Sequence, residues 1–305
     1  MFETHYEPEY LTSDALRGRV VHCFSTRRGG VSTGFLESLN LGVHRGDDWN
    51  KVYENYRRLG AAVGFTPEQT VFTHQTHTDI VARVGAADRG WGLFREVEPE
   101  RDGIYTDEPG VALVCFSADC TPILLHDPEH HAAAAVHAGW RGTAKGIAAR
   151  CVEAMVRDFG TDPARVQAAI GPCIGPCCFE TGPEVPEAML AALGPEAEQF
   201  IRPAPRHSER SEESVPLNRH SERSEESVPF TCHSERSEES VPPAGEKYHL
   251  DLKGLNALWL RRAGVRTVDC AQDCTRCQPD RFWSHRLTGQ ARGSLAAIIM
   301  LKEKD

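Results

Sequence analysis

The sequence has no excess of positive charge and no long apolar run. Lysine and arginine number 34 against 44 aspartates and glutamates, and the net charge is −10. Sequence-independent binding to nucleic acid needs a basic face, so we expect no nucleic-acid partner. No apolar run reaches the roughly 18 residues of a membrane span, and residues 1–14 lack the basic and then apolar order of a signal peptide. We therefore expect a soluble, cytoplasmic protein with no membrane partner.

Because we expect no export signal, we also expect the cysteines to stay in a reducing compartment. The chain has 11 of them, an odd number. Disulfide frameworks form in oxidising compartments, whereas a chain without an export signal keeps its thiols reduced. The cysteines are therefore expected to be free thiols or metal ligands.

Residues 206–243 lack the apolar side chains that a core requires. The decapeptide HSERSEESVP begins at 207, 220 and 233, and one valine is its only apolar side chain apart from proline. Such a segment cannot bury enough surface to fold. We predict one domain over residues 1–305, interrupted at 206–243 by a disordered low-complexity insert.

Elsewhere, short apolar runs and helical periods alternate, and this predicts the fold class. The predicted strands are 20–25, 111–117, 122–126, 132–137, 166–170 and 295–301. The predicted helices are 49–63, 142–159, one after Pro183, and one that Asp251 caps and that ends near Gly264. Three central strands follow one another without a helix, so we expect a mixed α/β fold rather than a doubly wound parallel sheet.

Three side chains lie at the ends of predicted strands and could form a site. Cys120 follows the strand at 111–117, His137 ends the strand at 132–137, and His77 precedes the apolar alternation at 80–84. Two histidines and one cysteine can hold zinc with a fourth position open. Alternatively, His137 could activate Cys120 as a nucleophile, or both could be ordinary interior residues. Spacing alone leaves these alternatives open.

A second group of cysteines also permits two interpretations. Cys173, Cys177 and Cys178 lie in one segment, and Cys274 and Cys277 lie in another. Together they could supply four thiolates to a structural zinc ion. Because the spacing is irregular, packed loop thiols are the alternative.

Several cations lie near glycine-rich turns, where anions often bind. Arg27 and Arg28 begin a glycine-rich loop, and Arg141 and Lys145 follow His137 at the start of a predicted helix. Unpaired N–H groups at such positions attract phosphate. For Lys145, an ordinary solvated charge is the favoured interpretation.

Motifs along almost the whole chain resemble those of one family. They are FSTRRGGVSTG at 24–34, SLNLG at 38–42, HQTH at 74–77, DGIYTD at 102–107, ADCTPI at 118–123, HAGWRG at 137–142, IGPCIGPCCFE at 170–180 and CTRC at 274–277. The combination resembles the YfiH family, variously called polyphenol oxidase (laccase), purine nucleoside phosphorylase or peptidoglycan editing factor. Cys173 departs from the serine expected at its position.

The resemblance implies a fold and a site. The fold would be similar to the catalytic domain of cytotoxic necrotizing factor, with layered mixed sheets flanked by helices. His77, Cys120 and His137 would be the zinc ligands and the catalytic residues, with copper as a possible substitute. Arg27, Asn40 and Arg141 lie in matching motifs and are expected to bind substrate.

Three activities follow from the family's names. The first is zinc-dependent phosphorolysis of adenosine, inosine, guanosine and methylthioadenosine, with deamination of adenosine; nucleoside and phosphate would be the partners, and His74 or Asp119 could donate the proton. The second is copper-dependent phenol oxidation, which the lack of paired His-x-His motifs disfavours. The third is a metal-free Cys120–His137 amide hydrolase acting on a peptidoglycan precursor. The sequence makes no prediction of the oligomeric state.

Overall fold

The computed structural model describes residues 1–18, 20–96, 99–204 and 246–303. The predicted insert at 206–243 lies outside the described residues. The helices within these ranges are α1 (Trp49–Val63), α2 (Trp140–Ala144), α3 (Ile147–Phe159), α4 (Glu184–Leu193), α5 (Leu252–Arg262) and α6 (His285–Thr288). No helix in the described ranges has the length and apolar character needed to cross a membrane.

Fifteen strands lie in the same ranges. They are β1 (Phe2–His5), β2 (Tyr10–Ser13), β3 (Val20–Ser25), β4 (Thr70–Phe72), β5 (Val81–Arg83), β6 (Gly103–Thr106), β7 (Ala112–Ser117), β8 (Thr121–Asp127), β9 (Ala132–Ala138), β10 (Gln167–Ile170), β11 (Glu180–Thr181), β12 (Ile201–Pro203), β13 (Tyr248–Leu250), β14 (Thr267–Cys270) and β15 (Leu295–Leu301). The bounds predicted for β3 and β15 are confirmed, and so are those for α1.

Two six-stranded sheets form the centre of the molecule. The first has the order β1-β2-β3-β15-β7-β4, and the second has the order β14-β10-β8-β9-β6-β5. Most neighbours are antiparallel, but β4 pairs with β7 in parallel, and β5 with β6 and β10 with β14 do the same. Both sheets are therefore mixed, as the sequence predicts.

The two sheets pack face to face, and helices cover their outer faces. One apolar cluster joins Leu113 and Ile299 of the first sheet to Ile104 and Leu124 of the second. A second cluster packs α1 on the outer face of the first sheet, and a third packs α3 and α5 on the outer face of the second. The result is a four-layered α/β/β/α arrangement, which is the predicted layering of mixed sheets flanked by helices.

The helix predicted over 142–159 is wrong in its continuity. The structure has two helices there, α2 and α3, and Gly146 separates them with φ 74. An L-residue in a continuous helix needs a negative φ, so this left-handed residue ends one helix and starts another. The prediction missed the break because the apolar period runs on through it.

The chain passes between the two sheets twice at the same end. The connection from β4 to β5 and the connection from β7 to β8 both leave the first sheet and enter the second. Since β4 and β7 are parallel, both connections start at the same end of the first sheet. Strand β9 is antiparallel to β8, so it ends where β8 begins. Three segments distant in sequence therefore meet at this end.

Candidate active site

His77, Cys120 and His137 meet at this end of the two sheets. His77 lies in the β4–β5 connection, Cys120 in the β7–β8 connection, and His137 next to the end of β9. Their ligand atoms all lie within 4.8 Å of one another. The Sγ of Cys120 is 3.8 Å from Nε2 of His77, and the two imidazole rings are 5.0 Å apart and nearly perpendicular. The structure therefore brings together the three residues that sequence analysis singled out.

The buried carboxylate of Asp102 holds two of these residues in place. Its Oδ1 accepts hydrogen bonds from Nδ1 of His137 at 2.7 Å and from the backbone N–H of His77 at 3.1 Å. Its Oδ2 accepts from the backbone and hydroxyl of Thr78, both at 2.7 Å. Because Nδ1 of His137 is occupied by Asp102, Nε2 is the atom left for Cys120 or a metal ion.

Two residues of the site have a left-handed backbone. The φ angle is 64° at His77 and 96° at Asp119, the residue before Cys120. Such conformations cost side-chain-bearing residues about 1–3 kcal/mol and are often found at functional sites. Asp102 fixes the first loop. Asp119 fixes the second, because its carboxylate accepts from Thr275 at 2.6 Å and from the backbone N–H of Arg286 at 2.6 Å.

The surroundings favour the thiolate form of Cys120. Burial on its own raises the pKa of this thiol, but the charge of the adjacent His137 and its hydrogen bond outweigh burial and lower the pKa to about 6. Burial likewise opposes the charged form of His137, yet Cys120 and Asp102 raise its pKa to about 9. A thiolate is both the metal-binding and the nucleophilic form of cysteine. The thiolate of Cys120 is therefore compatible with a metal ligand and with a nucleophile.

The geometry fits a zinc ion. Ligands of a tetrahedral zinc with Zn–S near 2.3 Å and Zn–N near 2.0 Å lie roughly 3.3–3.8 Å apart. The 3.8 Å between Cys120 Sγ and His77 Nε2 agrees with this spacing. A carboxylate that orients a ligand histidine, as Asp102 orients His137, is common around such ions. Three protein ligands leave one position for a reactant.

The three residues open into a cavity of about 930 Å³. One part of its wall is aromatic, formed by Trp49, Phe72, Phe94 and Phe116. Trp49 and Phe94 are 47% and 44% exposed, which is high for such large apolar side chains. Aromatic surface left open in a cavity favours an apolar, flat ligand.

Three arginines and one carboxylate, Glu96, line the cavity, and two of the arginines, Arg45 and Arg292, lie close together and form a positive region. Arg45 donates to the hydroxyl of Ser294 and to the amide oxygen of Gln290, and Arg292 donates to the carbonyl of Gly293. Within the described ranges, neither forms an ion pair with a carboxylate. Burial and the charge of Arg45 lower the pKa of Arg292 to about 10. Two neighbouring cations that form no close ion pair with the described residues favour an anionic ligand.

The three residues predicted to bind substrate do not line this cavity. Arg27 stacks on Trp283 and donates to the backbone carbonyls of Glu37 and Pro279. Asn40 is buried and accepts hydrogen bonds from the backbone N–H groups of Gly42 and Ser294. Because these two residues line the cavity, Asn40 supports its wall from the protein interior. Arg141 is exposed and lies over the ring of Trp140.

The two suggested proton donors differ in position. His74 lines the cavity. Asp119 is buried, and its two carboxylate oxygens accept hydrogen bonds from Thr275, Ser284 and Arg286. The network around Asp119 is that of a positioning residue for the Cys120 loop.

Sequence reasoning missed Asp102, Arg45 and Arg292. Asp102 begins a recognised motif and directly precedes the four buried residues of β6. A charged residue at the start of a buried strand was the signal in the sequence that could have identified it. Arg292 lies three residues before the buried strand β15. For Arg45, which lies in a turn before α1, the sequence holds no comparable signal.

Two stacked mixed sheets, with two histidines and a cysteine converging on a cavity at one end, define a class of α/β protein with a candidate metal site. A family model described as multi-copper polyphenol oxidoreductase laccase matches residues 21–214 and 217–302. The chain belongs to this family, which is the YfiH family that its motifs resemble.

Named relatives cover most of the chain. Purine nucleoside phosphorylase YlmD of Geobacillus stearothermophilus is 34% identical over 284 residues, 92% of this chain and 89% of that protein. A purine nucleoside phosphorylase of Bacteroides thetaiotaomicron is 32% identical and covers 92% of each. These names support an enzymatic, transferase role.

Solved structures support the same fold. The crystal structure of YlmD from Geobacillus stearothermophilus has a TM-score of 0.79 and 33% identity, and the match covers 96% of each chain. That of the Bacillus licheniformis hypothetical protein YfiH has a TM-score of 0.80 and 29% identity, and covers 98% of this chain and 99% of that one. The predicted fold class is confirmed.

Proposed function

We propose that this protein is a zinc-dependent purine nucleoside phosphorylase whose reaction takes place in the cavity beside His77, Cys120 and His137. One observation carries the proposal: three features share one cavity. They are a three-ligand site with an open position, an aromatic wall, and two cations that form no ion pair with a carboxylate in the described ranges. These are the features that a metal, a purine and a phosphate would each require. The relatives named purine nucleoside phosphorylase favour the same reaction.

The positive region is our candidate phosphate site. A phosphate dianion needs cations that are not already neutralised, and Arg45 and Arg292 meet this requirement among the described residues. A guanidinium can also donate two parallel hydrogen bonds to phosphate oxygens. We therefore assign phosphate binding to these two arginines, which line the cavity, rather than to Arg27 and Arg141, which do not.

The aromatic wall is our candidate purine site. Trp49 and Phe94 present open ring surface to the cavity, and a purine base can stack on such a surface. The volume of about 930 Å³ exceeds what one nucleoside needs and leaves room for phosphate as well. Adenosine, inosine, guanosine and methylthioadenosine are the proposed substrates.

In the proposed reaction, a phosphate oxygen bonds to C1′ of the ribose, the bond from C1′ to the purine nitrogen breaks, and the base takes up a proton. Zinc, when bound, would act as a Lewis acid toward the attacking group. Arg45 and Arg292 would hold the phosphate, and Asp102 would keep His137 oriented. His74, which lines the cavity, is the proposed proton donor to the base. Deamination of adenosine would be a separate reaction, in which a water oxygen bonds to C6 of the adenine base, the bond from C6 to the amino nitrogen breaks, and ammonia leaves.

Turnover of nucleosides tests the proposal. Purified zinc-loaded protein should convert inosine to hypoxanthine and ribose-1-phosphate only when phosphate is present, and adenosine to inosine without phosphate. His77→Ala should abolish phosphorolysis, whereas His130→Ala, at the opposite end of β9, should not. Absence of every product with all four nucleosides would reject the proposal.

One observation favours a second candidate, a metal-free cysteine hydrolase. Cys120, His137 and Asp102 are connected in series, since His137 donates to Asp102 and interacts with Cys120. That order matches a nucleophile, a base and a residue that orients the base. His77 also contacts Cys120, at 3.8 Å, but a series of nucleophile, base and carboxylate does not require it. Amide hydrolysis that survives both chelation and His77→Ala would favour the hydrolase over the phosphorylase.

Copper-dependent phenol oxidation has less support. The described residues contain two groups of three or more potential metal ligands: His77, Cys120 and His137, and a set of four cysteines. Neither offers the clustered histidines of a multicopper centre. Several stoichiometric copper ions per purified chain would overturn this judgement.

A further inference from the structure

A second cluster of thiols lies outside the cavity. Cys177 and Cys178 belong to the loop between β10 and β11, and Cys274 and Cys277 belong to the turn between β14 and α6. The four sulfur atoms lie within 4.8 Å of one another. Cys277 Sγ is 3.5 Å from Cys177 Sγ and 3.4 Å from Cys178 Sγ, and all four thiols are free.

The spacing of the sulfur atoms fits one tetrahedral ion. With Zn–S near 2.3 Å, sulfurs at the corners of a tetrahedron lie roughly 3.7 Å apart. Four sulfurs, and no oxygen or nitrogen in the group, select a thiophilic metal. Cys173 remains outside the group, because its buried thiol faces the carbonyl of Ile174. The structure thus selects four of the five cysteines considered from sequence.

The surroundings of the sulfurs resemble those of bound thiolates rather than packed thiols. The backbone N–H of Gly175 donates to Cys274 Sγ at 3.2 Å, and Nη1 of Arg276 donates to Cys178 Sγ at 3.4 Å. Donors directed at ligand sulfurs are characteristic of the outer shell of metal sites. By contrast, Cys23 and Cys151 are fully buried among apolar residues, as structural thiols usually are.

We propose that Cys177, Cys178, Cys274 and Cys277 bind a zinc ion that is structural and separate from the cavity site. Four protein ligands close the coordination shell, so no position remains for a reactant. The ion joins two loops that are distant in sequence. Thr275, between two of the ligands, donates to Asp119 at 2.6 Å, and Asp119 precedes Cys120. The structural ion therefore supports the loop that positions Cys120.

Metal analysis of the full chain tests the proposal. Protein purified with zinc should hold two equivalents, and Cys177→Ser combined with Cys277→Ser should lose one. Cys270→Ser, a partly buried cysteine outside the group, should keep both and serves as the matched control. His77→Ala should lose the other equivalent, so failure of the cavity site and failure of the four-cysteine site give different results.

Alkylation gives a second measurement, and it uses the unsubstituted protein, so it does not require a variant to fold. Cys177 and Cys277 are exposed, so without a metal they should react readily with iodoacetamide. In the zinc-loaded protein we expect their labelling to be slowed at least tenfold and restored by a chelator. Equal labelling with and without chelator, or zinc content unchanged in the double variant, would overturn the proposal. A disulfide between Cys177 and Cys277 in freshly purified protein would also overturn it.

Discussion

At the scale of single residues, Asp102 does most to organise the candidate site. One buried carboxylate accepts from His137, from the backbone of His77 and from Thr78. Burial opposes its charge, but the hydrogen bond from His137 and those from Thr78 lower its pKa to about 2. It is therefore a permanent acceptor rather than a proton carrier, and it fixes two of the three proposed ligands at once.

Asp102→Asn should weaken metal binding at the cavity site by roughly 10- to 100-fold, since an amide cannot accept from all of these donors. Titration of the loaded protein with a competing chelator measures the loss. Asp107→Asn is the matched control, because Asp107 follows the same strand β6 and forms an ion pair with Arg83. Equal metal affinity in the two variants would show that Asp102 does not support the ligands.

Arg292 allows a residue-scale test of the proposed phosphate site. Arg292→Gln should raise the KM for phosphate by roughly 10- to 100-fold, because it removes charged hydrogen bonds of about 1.5–3 kcal/mol, while the KM for inosine changes little. Arg141→Gln should leave both constants unchanged, since Arg141 lies outside the cavity. A raised KM for phosphate in Arg141→Gln, with no change in Arg292→Gln, would place the anion site at Arg141, as the sequence predicted.

These residues show what a sequence reveals about a site. Cys120 and His137 could be recognised because each ends a short apolar run, and His77 because it precedes another. Asp102 could not be assigned a role, because its partners come from β9 and the β4–β5 connection, and local spacing carries no information on that contact. Arg27 was favoured because of its glycine-rich loop, yet backbone carbonyls already satisfy its donors.

At the scale of elements, Gly146 separates α2 from α3 and approaches Trp259. An added Cβ would meet the indole ring at 3.2 Å. Trp259 cannot easily move, because its Nε1 donates to the carbonyl of Thr143 at 2.8 Å. The glycine therefore provides both a left-handed backbone and room for a neighbouring helix.

Gly146→Ala should lower the free energy of unfolding by about 2 kcal/mol, as the sum of backbone strain and the contact with Trp259. Gly34→Ala should cost only about 1 kcal/mol, since Gly34 has φ 66 and open space around its Cβ position. Urea unfolding of both variants measures the difference. Equal costs would show that Trp259 yields to the methyl group.

At the scale of the whole molecule, the strand order is what the sequence could not supply. The carboxyl-terminal strand β15 lies inside the first sheet, between β3 and β7. Its apolar run predicted a buried strand, but both neighbours lie far away in sequence. The same holds for the two crossings between sheets, which bring His77 next to Cys120. Local patterns predicted the elements, and long-range pairing determined the site.

The repeat segment at 206–243 is attached to the rest of the molecule at two points that are close in space. Strands β12 and β13 pair antiparallel, and the backbone N–H of Ala204 donates to the carbonyl of Lys247 at 2.8 Å. Every residue from 205 to 246 therefore falls within the connection of one hairpin. A hairpin needs only a few residues to close.

Deleting residues 206–243 should therefore preserve nucleoside turnover and stabilise the fold. The deletion leaves four residues between Ala204 and Lys247. The entropic cost of closing a flexible connection grows with the logarithm of its length, so shortening it about tenfold should add about 2 kcal/mol to the free energy of unfolding. Urea unfolding of the full and shortened chains measures this gain, with turnover compared in parallel. Because a segment that packs on the fold would contribute contacts of its own, a loss of stability on deletion would show that the repeats are part of the structure.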